Sequence, residues 1–397
     1  MSARRQVELP WIGIIGGGQL GAMMADAARV LGFRVRVLDP SADCPARAAC
    51  DELIIGAFDD VHAVAHTARG CHAVTVDLEK VGVPALEAAA QRAPVRPGPQ
   101  VLAMVQDRIA QKTWLSQHDL PTAPWRPATN VAELEAALEE FGYDAFVKAA
   151  FGGYDGLGQV RVRSRADLDA ARQLVAGQRC VVEQTVPFMA ELSVQVARRP
   201  SGQTAVFPPA LNHHVRQVLA WTLMPAPLPL SVAQQAEAIA TRLATTLAIE
   251  GLLTVEMFLS QDGSLLVNEL APRPHNSFHT TLVGTATSQF EQAIRAAADL
   301  PLGRTDADGF TVVANLLGDL WMGEAAFPLA SALEVPFTRV NLYGKTEARP
   351  GRKMGHVTTR GATAAEALER AATAMRSLGG ALEEPAVPDL SIRAEAS

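Results

Sequence analysis

An alternation of strands and helices at the start of the chain is the feature that most constrains its fold. Four short apolar runs are separated by stretches long enough for helices, and the first of these stretches, residues 19–31, has helical periodicity. The runs are residues 11–15, 34–38, 53–55 and 73–76. Strands connected through helices of this length predict a parallel sheet with crossover connections. A proline-rich stretch at residues 94–99 is a candidate linker to the next domain.

The charge balance and the cysteine content limit the classes of protein to which this chain can belong. With 35 basic and 42 acidic residues, the net charge is −7, which argues against a general nucleic-acid binder. No apolar run approaches the ~20 residues of a membrane span, so we expect no membrane partner. The four cysteines form no CxxC pair and are sparse for 397 residues. This usage favours a reduced, cytoplasmic setting.

Two glutamates are predicted to face each other in a hairpin. Asp262 and Gly263 lie between apolar runs and are typical of a two-residue hairpin loop. In that register Glu256 and Glu269 occupy opposite positions, with Cβ atoms roughly 5 Å apart. Facing like charges destabilise a sheet unless a cation lies between them, and Mg²⁺ prefers such oxygen ligands. The alternative is a bulged hairpin in which both glutamates are solvated.

A glycine-rich loop at residues 152–158 follows a predicted strand that carries Lys148. Glycines lack Cβ atoms, so their backbone N–H groups can approach and bind anionic oxygens. The loop does not end in the GK[ST] of a Walker A motif. Tyr154 and Asp155 lie inside it, which favours a functional loop over a flexible hairpin turn.

The segment GGGQLG at residues 16–21 fits G-x-G-x-x-G between a strand and a helix, and Asp39 ends the next predicted strand. The pattern predicts an anion at the helix N-terminus. It also supports an alternative function, a nicotinamide-dependent oxidoreductase with a dinucleotide-binding domain.

Basic residues form two further groups in this acidic chain. Pro272 and Pro274 stiffen the segment that carries Arg273 and His275, and Arg273 can bind an anion bidentately. The second group predicts a site for a substrate phosphate, unless it is simply a solvated charged surface. Its members are Lys345, Arg349, Arg352 and Lys353.

Together these segments resemble the ATP-grasp superfamily, and within it the N5-carboxyaminoimidazole ribonucleotide synthase family of purine biosynthesis. The matching segments are GGGQLG (16–21), TVDLEKV (75–81), DRIAQK (107–112), VKAAFGGYDGLGQ (147–159), EQTVPFMAELS (183–193), NHH (212–214), VEMF (255–258), NELAPRPHNS (268–277), YGK (343–345) and RPGRKMGH (349–356). APRPHNS followed by GRKMGH is specific to this family, whereas the paired glutamates alone indicate only an ATP-grasp protein.

The resemblance implies a fold that combines α/β and α+β parts. A Rossmann-like domain would span residues 1–105, an ATP-grasp domain with a lid loop near 149–159 would span 106–300, and a small β-rich domain would span 301–397. The family also implies a homodimer. Formate-dependent glycinamide ribonucleotide transformylase and biotin carboxylase share the ATP-grasp core and are the nearest alternatives. A non-catalytic regulator that retains the ATP-grasp fold is a third.

The resemblance also implies how ATP and its metal are bound. Lys112 and Lys148 would contact the phosphates, Glu183 and the backbone near Val186 would hold adenine, and Glu191 would bind the ribose. Further ATP-binding positions are Gly153, Gly156, His214 and Asn268. Glu256 and Glu269 would bind Mg²⁺, for which Mn²⁺ could substitute.

The second substrate implied by the resemblance is 5-aminoimidazole ribonucleotide. Its binding residues would be Gln19, Leu20, Glu79, Lys345, Arg352 and Lys353. Arg273 and His275 would orient the carboxylating species, and Tyr154 and Asp155 would be catalytic, with Asp155 accepting the amine proton. Lys80 receives no role.

The implied reaction begins when bicarbonate attacks the γ-phosphate of ATP and forms carboxyphosphate. It ends when the exocyclic amine of the ribonucleotide captures the released CO₂. One loop departs from the family, because Ala149, Ala150, Phe151 and Leu157 stand where basic or polar residues are common. This departure predicts weaker phosphate binding or a different loop closure.

Overall fold

The computed structural model describes residues 8–152, 158–215, 217–323, 327–383, 387 and 390. The first of three sheets is formed by β1 (Trp11–Ile15), β2 (Arg34–Asp39), β3 (Glu52–Ile55) and β4 (Cys71–Val76). All its pairings are parallel, in the order β3-β2-β1-β4, which confirms the predicted crossover architecture. The accompanying helices are α1 (Gln19–Val30), α2 (Val61–Thr67), α3 (Val83–Ala90) and α4 (Pro99–Gln106).

The glycine turn after β1 binds two carboxylates of the chain itself. Asp77 Oδ2 accepts hydrogen bonds from the backbone N–H groups of Gly18 (2.9 Å) and Gly21 (3.2 Å). Asp39 Oδ2 accepts one from Gly17 at 2.8 Å. Burial raises the pKa of Asp77 to about 7. The anion predicted at this helix N-terminus is thus a side chain, and the turn gives no support to the oxidoreductase alternative.

Replacing Gly16 by alanine is expected to destabilise the protein by roughly 2–5 kcal/mol, because backbone strain adds to the loss of buried hydrogen bonds made by Asp77. Gly16 has a φ of +104°, and an added Cβ would come within 1.6 Å of Asp77 Oδ1. Gly32 is the matched control, since its φ is +84° but nothing lies within 4 Å of its Cβ position. Gly32→Ala should therefore cost only about 1–2 kcal/mol. Thermal unfolding measures both, and equal losses would contradict a structural role for Asp77.

The second sheet is small and antiparallel. Its strands are β5 (Trp125–Ala128), β6 (Ala145–Ala149), β7 (Gln159–Val162) and β8 (Cys180–Gln184). Their order is β5-β8-β6-β7. Helices α5 (Arg108–Gln117), α6 (Val131–Glu140) and α7 (Leu168–Gly177) belong to the same part of the chain. Asp107 caps α5 by accepting hydrogen bonds from the N–H groups of Ile109 and Ala110. This cap fixes the start of the helix that carries Lys112.

The third sheet has nine strands and joins the middle of the chain to its C-terminal part. Its strands are β9 (Phe188–Arg198), β10 (Thr204–Val206), β11 (Ala210–Val215), β12 (Val218–Met224), β13 (Gly251–Ser260), β14 (Leu265–Ala271), β15 (Phe310–Leu317), β16 (Thr338–Leu342) and β17 (Lys353–Gly361). The main order is β14-β13-β9-β11-β12-β15-β17-β16, and β10 pairs with β9. The helices that accompany it are α8 (Leu230–Thr246), α9 (Thr281–Gly284), α10 (Gln289–Ala297), α11 (Leu329–Leu333) and α12 (Ala364–Ser377).

The C-terminal strands continue the sheet of the preceding part instead of forming a separate one. β15 pairs antiparallel with β12, across the predicted boundary at residue 300. One apolar core contains residues from both sides of that boundary, including Leu223 and Val312. Within the described residues, no helix combines the length and the apolar character needed to cross a membrane.

Candidate active site

Two neighbouring cavities, of about 520 Å³ and about 570 Å³, lie where the three sheets approach one another. The first cavity is lined by residues of β6, β8, β13 and β14, together with Lys353. The second cavity lies beyond the carboxyl ends of β2, β3 and β4 and reaches Phe151. Both cavities are bounded by Glu79, Arg108, Glu269 and Arg273. A reaction between ligands in the two cavities would take place at these four residues.

Glu256 and Glu269 lie opposite each other on β13 and β14, as predicted, but the hairpin that joins these strands is different from the predicted one. Its loop has three residues, because Ser260 pairs with Ser264 and Gly263 adopts a φ of +83°. A register shift between Glu256 and Met257 then leaves Asn268 as an extra residue on β14. The prediction of a two-residue turn was therefore wrong, and the bulge restores the predicted pairing of Glu256 with Glu269.

The two glutamates differ in environment. The Glu256 side chain is 20% exposed and lies 3.2 Å from His275 Nε2, whereas the Glu269 side chain is 51% exposed and lies 3.7 Å from Arg108. Burial raises the pKa of Glu256 to about 7, and Glu269 contributes to the rise while His214 opposes it. Two neighbouring carboxylates that repel each other in this way attract a cation. The described residues contain no group of three or more candidate metal ligands, and two carboxylates suit Mg²⁺, which commonly shares its coordination with phosphates and water.

A buried cluster of two lysines and one glutamate borders the first cavity, which Lys148 and Glu183 line. Glu183 Oε2 lies 2.8 Å from Lys148 Nζ, and Oε1 lies 3.5 Å from Lys112 Nζ. Lys112 is 2% exposed and also donates to Thr122 Oγ1 at 2.7 Å. Burial alone would raise the pKa of Glu183, but the two lysines lower it to about 2. Glu183 thus holds both ammonium groups, a role beyond the adenine contact implied by the resemblance.

The opposite wall of the first cavity combines aromatic and polar groups. The rings of Phe188 and Phe258 stack with centroids 4.7 Å apart, and both line the cavity with Val186. Glu191 lies 2.9 Å from His214 Nδ1. An apolar slot beside a carboxylate fits a base and its sugar. Sequence reasoning missed the two phenylalanines, although VEMF and VPF were among the matching segments.

Arg273 links the third sheet to the N-terminal sheet. Its Nε lies 2.7 Å from Glu79 Oε1, and both residues line both cavities. Burial lowers the pKa of Arg273, but Glu79, Asp77 and Glu269 together more than offset this and the net shift is upward. The guanidinium therefore stays charged at the junction of the cavities. His275, two residues later, lines the first cavity and contacts Glu256.

Arg108 is the main site residue that sequence reasoning missed. It lines both cavities, its backbone N–H donates to Ala150 O, and its side chain donates to Ala149 O. Its position in the matching segment DRIAQK, which also contains Lys112, was the indication that the sequence offered. Ala149 and Ala150 are buried, with 1% and 0% exposure, so their backbone positions Arg108. Lys80, which received no role, lines the second cavity.

Several predicted substrate residues lie outside the described lining of both cavities. Gln19 and Leu20 begin α1, and Leu20 is 6% exposed and packs in the N-terminal core. Lys345 donates to Lys353 O at 2.7 Å, and Arg352 donates to Glu347 O at 2.6 Å. Lys353 and Asn268 line the first cavity. The predicted site residues Gly153, Tyr154, Asp155 and Gly156, together with Leu157, fall outside the described residues.

Three family models match successive parts of the chain. The ribonucleotide synthetase preATP-grasp domain matches residues 9–106, the ATP-grasp domain matches 113–290, and the phosphoribosylaminoimidazole carboxylase C-terminal domain matches 311–370. The combination of a parallel N-terminal sheet, an ATP-grasp domain and a β-rich C-terminal part was predicted and is confirmed. The structure adds that the C-terminal strands are antiparallel.

Individual relatives match most of the chain. The N5-carboxyaminoimidazole ribonucleotide synthase of Brucella melitensis is 41% identical over 349 residues, which cover 87% of this chain and 95% of the relative. The Bacillus subtilis synthase is 39% identical and covers 87% and 90%. A crystal structure from Aspergillus clavatus, in complex with ADP and 5-aminoimidazole ribonucleotide, matches with a TM-score of 0.85 at 30% identity and covers 94% and 99%. This chain therefore belongs to the N5-carboxyaminoimidazole ribonucleotide synthase family of ATP-grasp ligases.

Proposed function

We propose that this ligase uses ATP and bicarbonate to carboxylate 5-aminoimidazole ribonucleotide to its N5-carboxy derivative in de novo purine biosynthesis. The observation that carries the proposal is the junction of the two cavities at Glu79, Arg108, Glu269 and Arg273. A nucleotide in the first cavity and a ribonucleotide beside it would meet at those residues. The relatives named for this activity, and the ribonucleotide complex of one of them, support the same assignment.

ATP would bind in the first cavity with its phosphates toward Lys112 and Lys148. Glu183 and the backbone near Val186 would hold adenine, Glu191 with His214 would bind the ribose, and Gly153 and Gly156 would cover the phosphates. The stacked Phe188 and Phe258 add an apolar surface for the base. Arg108, close to Glu269, supplies a further positive charge.

Glu256 and Glu269 would hold Mg²⁺, or Mn²⁺ in its place, with Asn268 beside them. Their opposite positions on β13 and β14 fit a hard divalent cation, because such an ion would offset the burial and the Glu269 repulsion that raise the pKa of Glu256. When bound, the ion would neutralise charge on the phosphates of ATP. His275 Nε2 lies 3.2 Å from Glu256 Oε1 and would keep this carboxylate in place.

The chemistry would proceed through carboxyphosphate. A bicarbonate oxygen attacks the γ-phosphorus, the bond to ADP breaks, and carboxyphosphate then yields CO₂ and phosphate. The exocyclic amine of the ribonucleotide forms the new N–C bond and releases a proton, which Asp155 would accept. Arg273 would orient the carboxylating species, and His275 would contribute by holding Glu256 in place. Tyr154 would help to enclose the carboxylating species, and exclusion of water would protect the short-lived intermediate.

The ribonucleotide would contact Gln19, Leu20 and Glu79 on the N-terminal side. Its phosphate would bind the basic group formed by Lys345, Arg352 and Lys353. Lys345 and Lys353 lie close together, since Lys345 Nζ donates to Lys353 O at 2.7 Å. Arg352, Lys353 and Arg349 all help to lower the pKa of Lys345. Such a concentration of positive charge is the electrostatic requirement of a phosphate site.

The proposal is tested by measuring phosphate release from ATP with each candidate co-substrate. We expect release that requires both bicarbonate and 5-aminoimidazole ribonucleotide. Release that requires formate and glycinamide ribonucleotide would instead indicate the transformylase. Nucleotide binding without any turnover would indicate a regulator that retains the fold.

The ribonucleotide affinity is expected to weaken as the pH rises through 8. Burial lowers the pKa of Lys345 to about 8, helped by Arg352, Lys353 and Arg349. Lys345 is charged below that pH and neutral above it, so KM for the ribonucleotide should rise by roughly tenfold when the charge is lost. Lys345→Arg should remove this rise, because guanidinium stays charged. The same pH profile of KM in both proteins would refute the assignment of Lys345.

Three organisational features complete the proposal. The chain would form a homodimer, act in the cytoplasm and divide into domains at residues 1–105, 106–300 and 301–397. The family models end and begin near these boundaries. Light scattering of the purified protein would test the dimer.

A further inference from the structure

Gln289 fixes the backbone of His275, although 14 residues separate them. Its Oε1 accepts the His275 N–H at 2.8 Å, and its Nε2 donates to the His275 carbonyl at 2.9 Å. Gln195 Nε2 also donates to Gln289 Oε1 at 3.0 Å. Gln289 and Gln195 are 0% exposed. Because a backbone N–H only donates and a carbonyl only accepts, both hydrogen bonds require one orientation of the Gln289 amide.

Ser277 fixes the tautomer of the His275 ring. The backbone N–H of Ser277 points at His275 Nδ1 from 3.4 Å, and the Ser277 hydroxyl lies 3.1 Å from the same atom. An N–H group can only donate, so Nδ1 is the acceptor and the proton of the neutral ring is on Nε2. That Nε2–H group lies 3.2 Å from Glu256 Oε1. His275 Nε2 is therefore placed to donate a hydrogen bond to Glu256.

A buried chain of polar groups leads to Ser277, and each of its hydrogen bonds donates toward Ser277. Thr222 Oγ1 donates to Asn212 Oδ1 at 3.0 Å, and Asn212 Nδ2 donates to Ser193 Oγ at 2.6 Å. Ser193 Oγ donates to Ser277 Oγ at 3.4 Å, which directs the Ser277 proton toward His275 Nδ1. Hydrogen bonds that follow one another in one direction polarise each other. The chain runs from β12 through β11 and β9 to Glu256 on β13.

We propose that Ser277 and Gln289 are positioning residues that hold His275 as a fixed hydrogen-bond donor to Glu256. This inference rests on the proposed function, in which Glu256 is a metal ligand. His275 would occupy one lone pair of Oε1, and the remaining lone pairs of the carboxylate would be available to a cation. Partners of this kind orient metal ligands, and their loss typically costs 10- to 100-fold in metal affinity or activity.

The tautomer is tested first, because it is independent of metal binding. Long-range proton–nitrogen correlation spectra of ¹⁵N-labelled protein distinguish the two tautomers, and the signals missing in His275→Gln identify His275. We expect the Nε2–H form in the wild type and in Thr280→Val. In Ser277→Ala the backbone N–H to Nδ1 remains, so the same form should dominate, with a weaker preference because the hydroxyl contact is lost. Thr280 is the matched control, since it is equally buried in the same segment and its hydroxyl donates to Ser277 O and Met224 Sδ.

Metal affinity is tested next with Mn²⁺ in the presence of ADP, followed by electron paramagnetic resonance. Ser277→Ala and Gln289→Met should each weaken Mn²⁺ binding by about 10-fold or more, and Thr280→Val should not. In kinetic assays kcat should fall while KM for the ribonucleotide stays unchanged.

Three results would overturn the inference. They are an Nδ1–H tautomer in the wild type, wild-type Mn²⁺ binding in both Ser277→Ala and Gln289→Met, and an equal loss in Thr280→Val. If Glu256→Gln binds Mn²⁺ like the wild type while the tautomer result holds, the proposed metal role of Glu256 fails and His275 positions a carboxylate with another task.

Discussion

Replacing Glu269 by glutamine is expected to lower ribonucleotide-dependent phosphate release by about 100-fold or more. Glutamine keeps the size of the side chain and removes the negative charge that would offset the cation. The pairing of Glu256 with Glu269 places this charge directly opposite the other carboxylate. The rate should recover partly at high Mg²⁺ concentration, because the lost charge weakens binding of the ion.

The same substitution separates function from folding. In the absence of Mg²⁺, Glu269→Gln should keep or raise Tm, since it removes one of two facing like charges from a half-exposed position. Glu139→Gln, an exposed acid on α6, is the control for loss of one negative charge. Wild-type turnover at the wild-type Mg²⁺ requirement would show that Glu269 does not bind the metal.

The largest effect on stability is expected from Glu183→Gln, at about 3–5 kcal/mol. Glu183 is the carboxylate between Lys112 and Lys148, and its side chain is 6% exposed. The amide cannot neutralise the two ammonium groups, and Lys112 is almost fully buried. Urea or thermal unfolding measures the loss. Glu140→Gln breaks the exposed pair with Arg126 and should cost only about 0–1 kcal/mol.

The stabilising effect of Glu183 should also depend on pH. Its pKa of about 2 lies below the ordinary value of 4.5, so this contribution is fully present above pH 4.5. It is lost progressively as the pH falls from 4.5 toward 2. Glu183→Gln should lack this part of the acid-induced loss of stability. Identical acid unfolding profiles for both proteins would contradict the cluster.

The hairpin of β13 and β14 shows which features a local sequence pattern can predict and which it cannot. The turn between the two apolar runs predicted that Glu256 opposes Glu269, and the strands have this pairing. The predicted turn type was wrong, and Glu256 still pairs with Glu269 only because of the bulge at Asn268. Next to that bulge, Val267 N–H donates to Pro121 O and Thr122 Oγ1 donates to Val267 O. These partners are about 145 residues away in sequence, so no local pattern contains them.

The amino-acid sequence by itself determined the parallel N-terminal sheet, the ATP-grasp resemblance and the residue types of the site, because periodicity, turns and motifs are local properties of the chain. Only the tertiary structure decided that Asp77 fills the glycine turn, that Glu183 lies between two lysines, and that Arg108 borders both cavities. Each of these depends on groups from distant segments meeting in a buried environment. There the exclusion of water makes charge pairing and hydrogen-bond direction decisive.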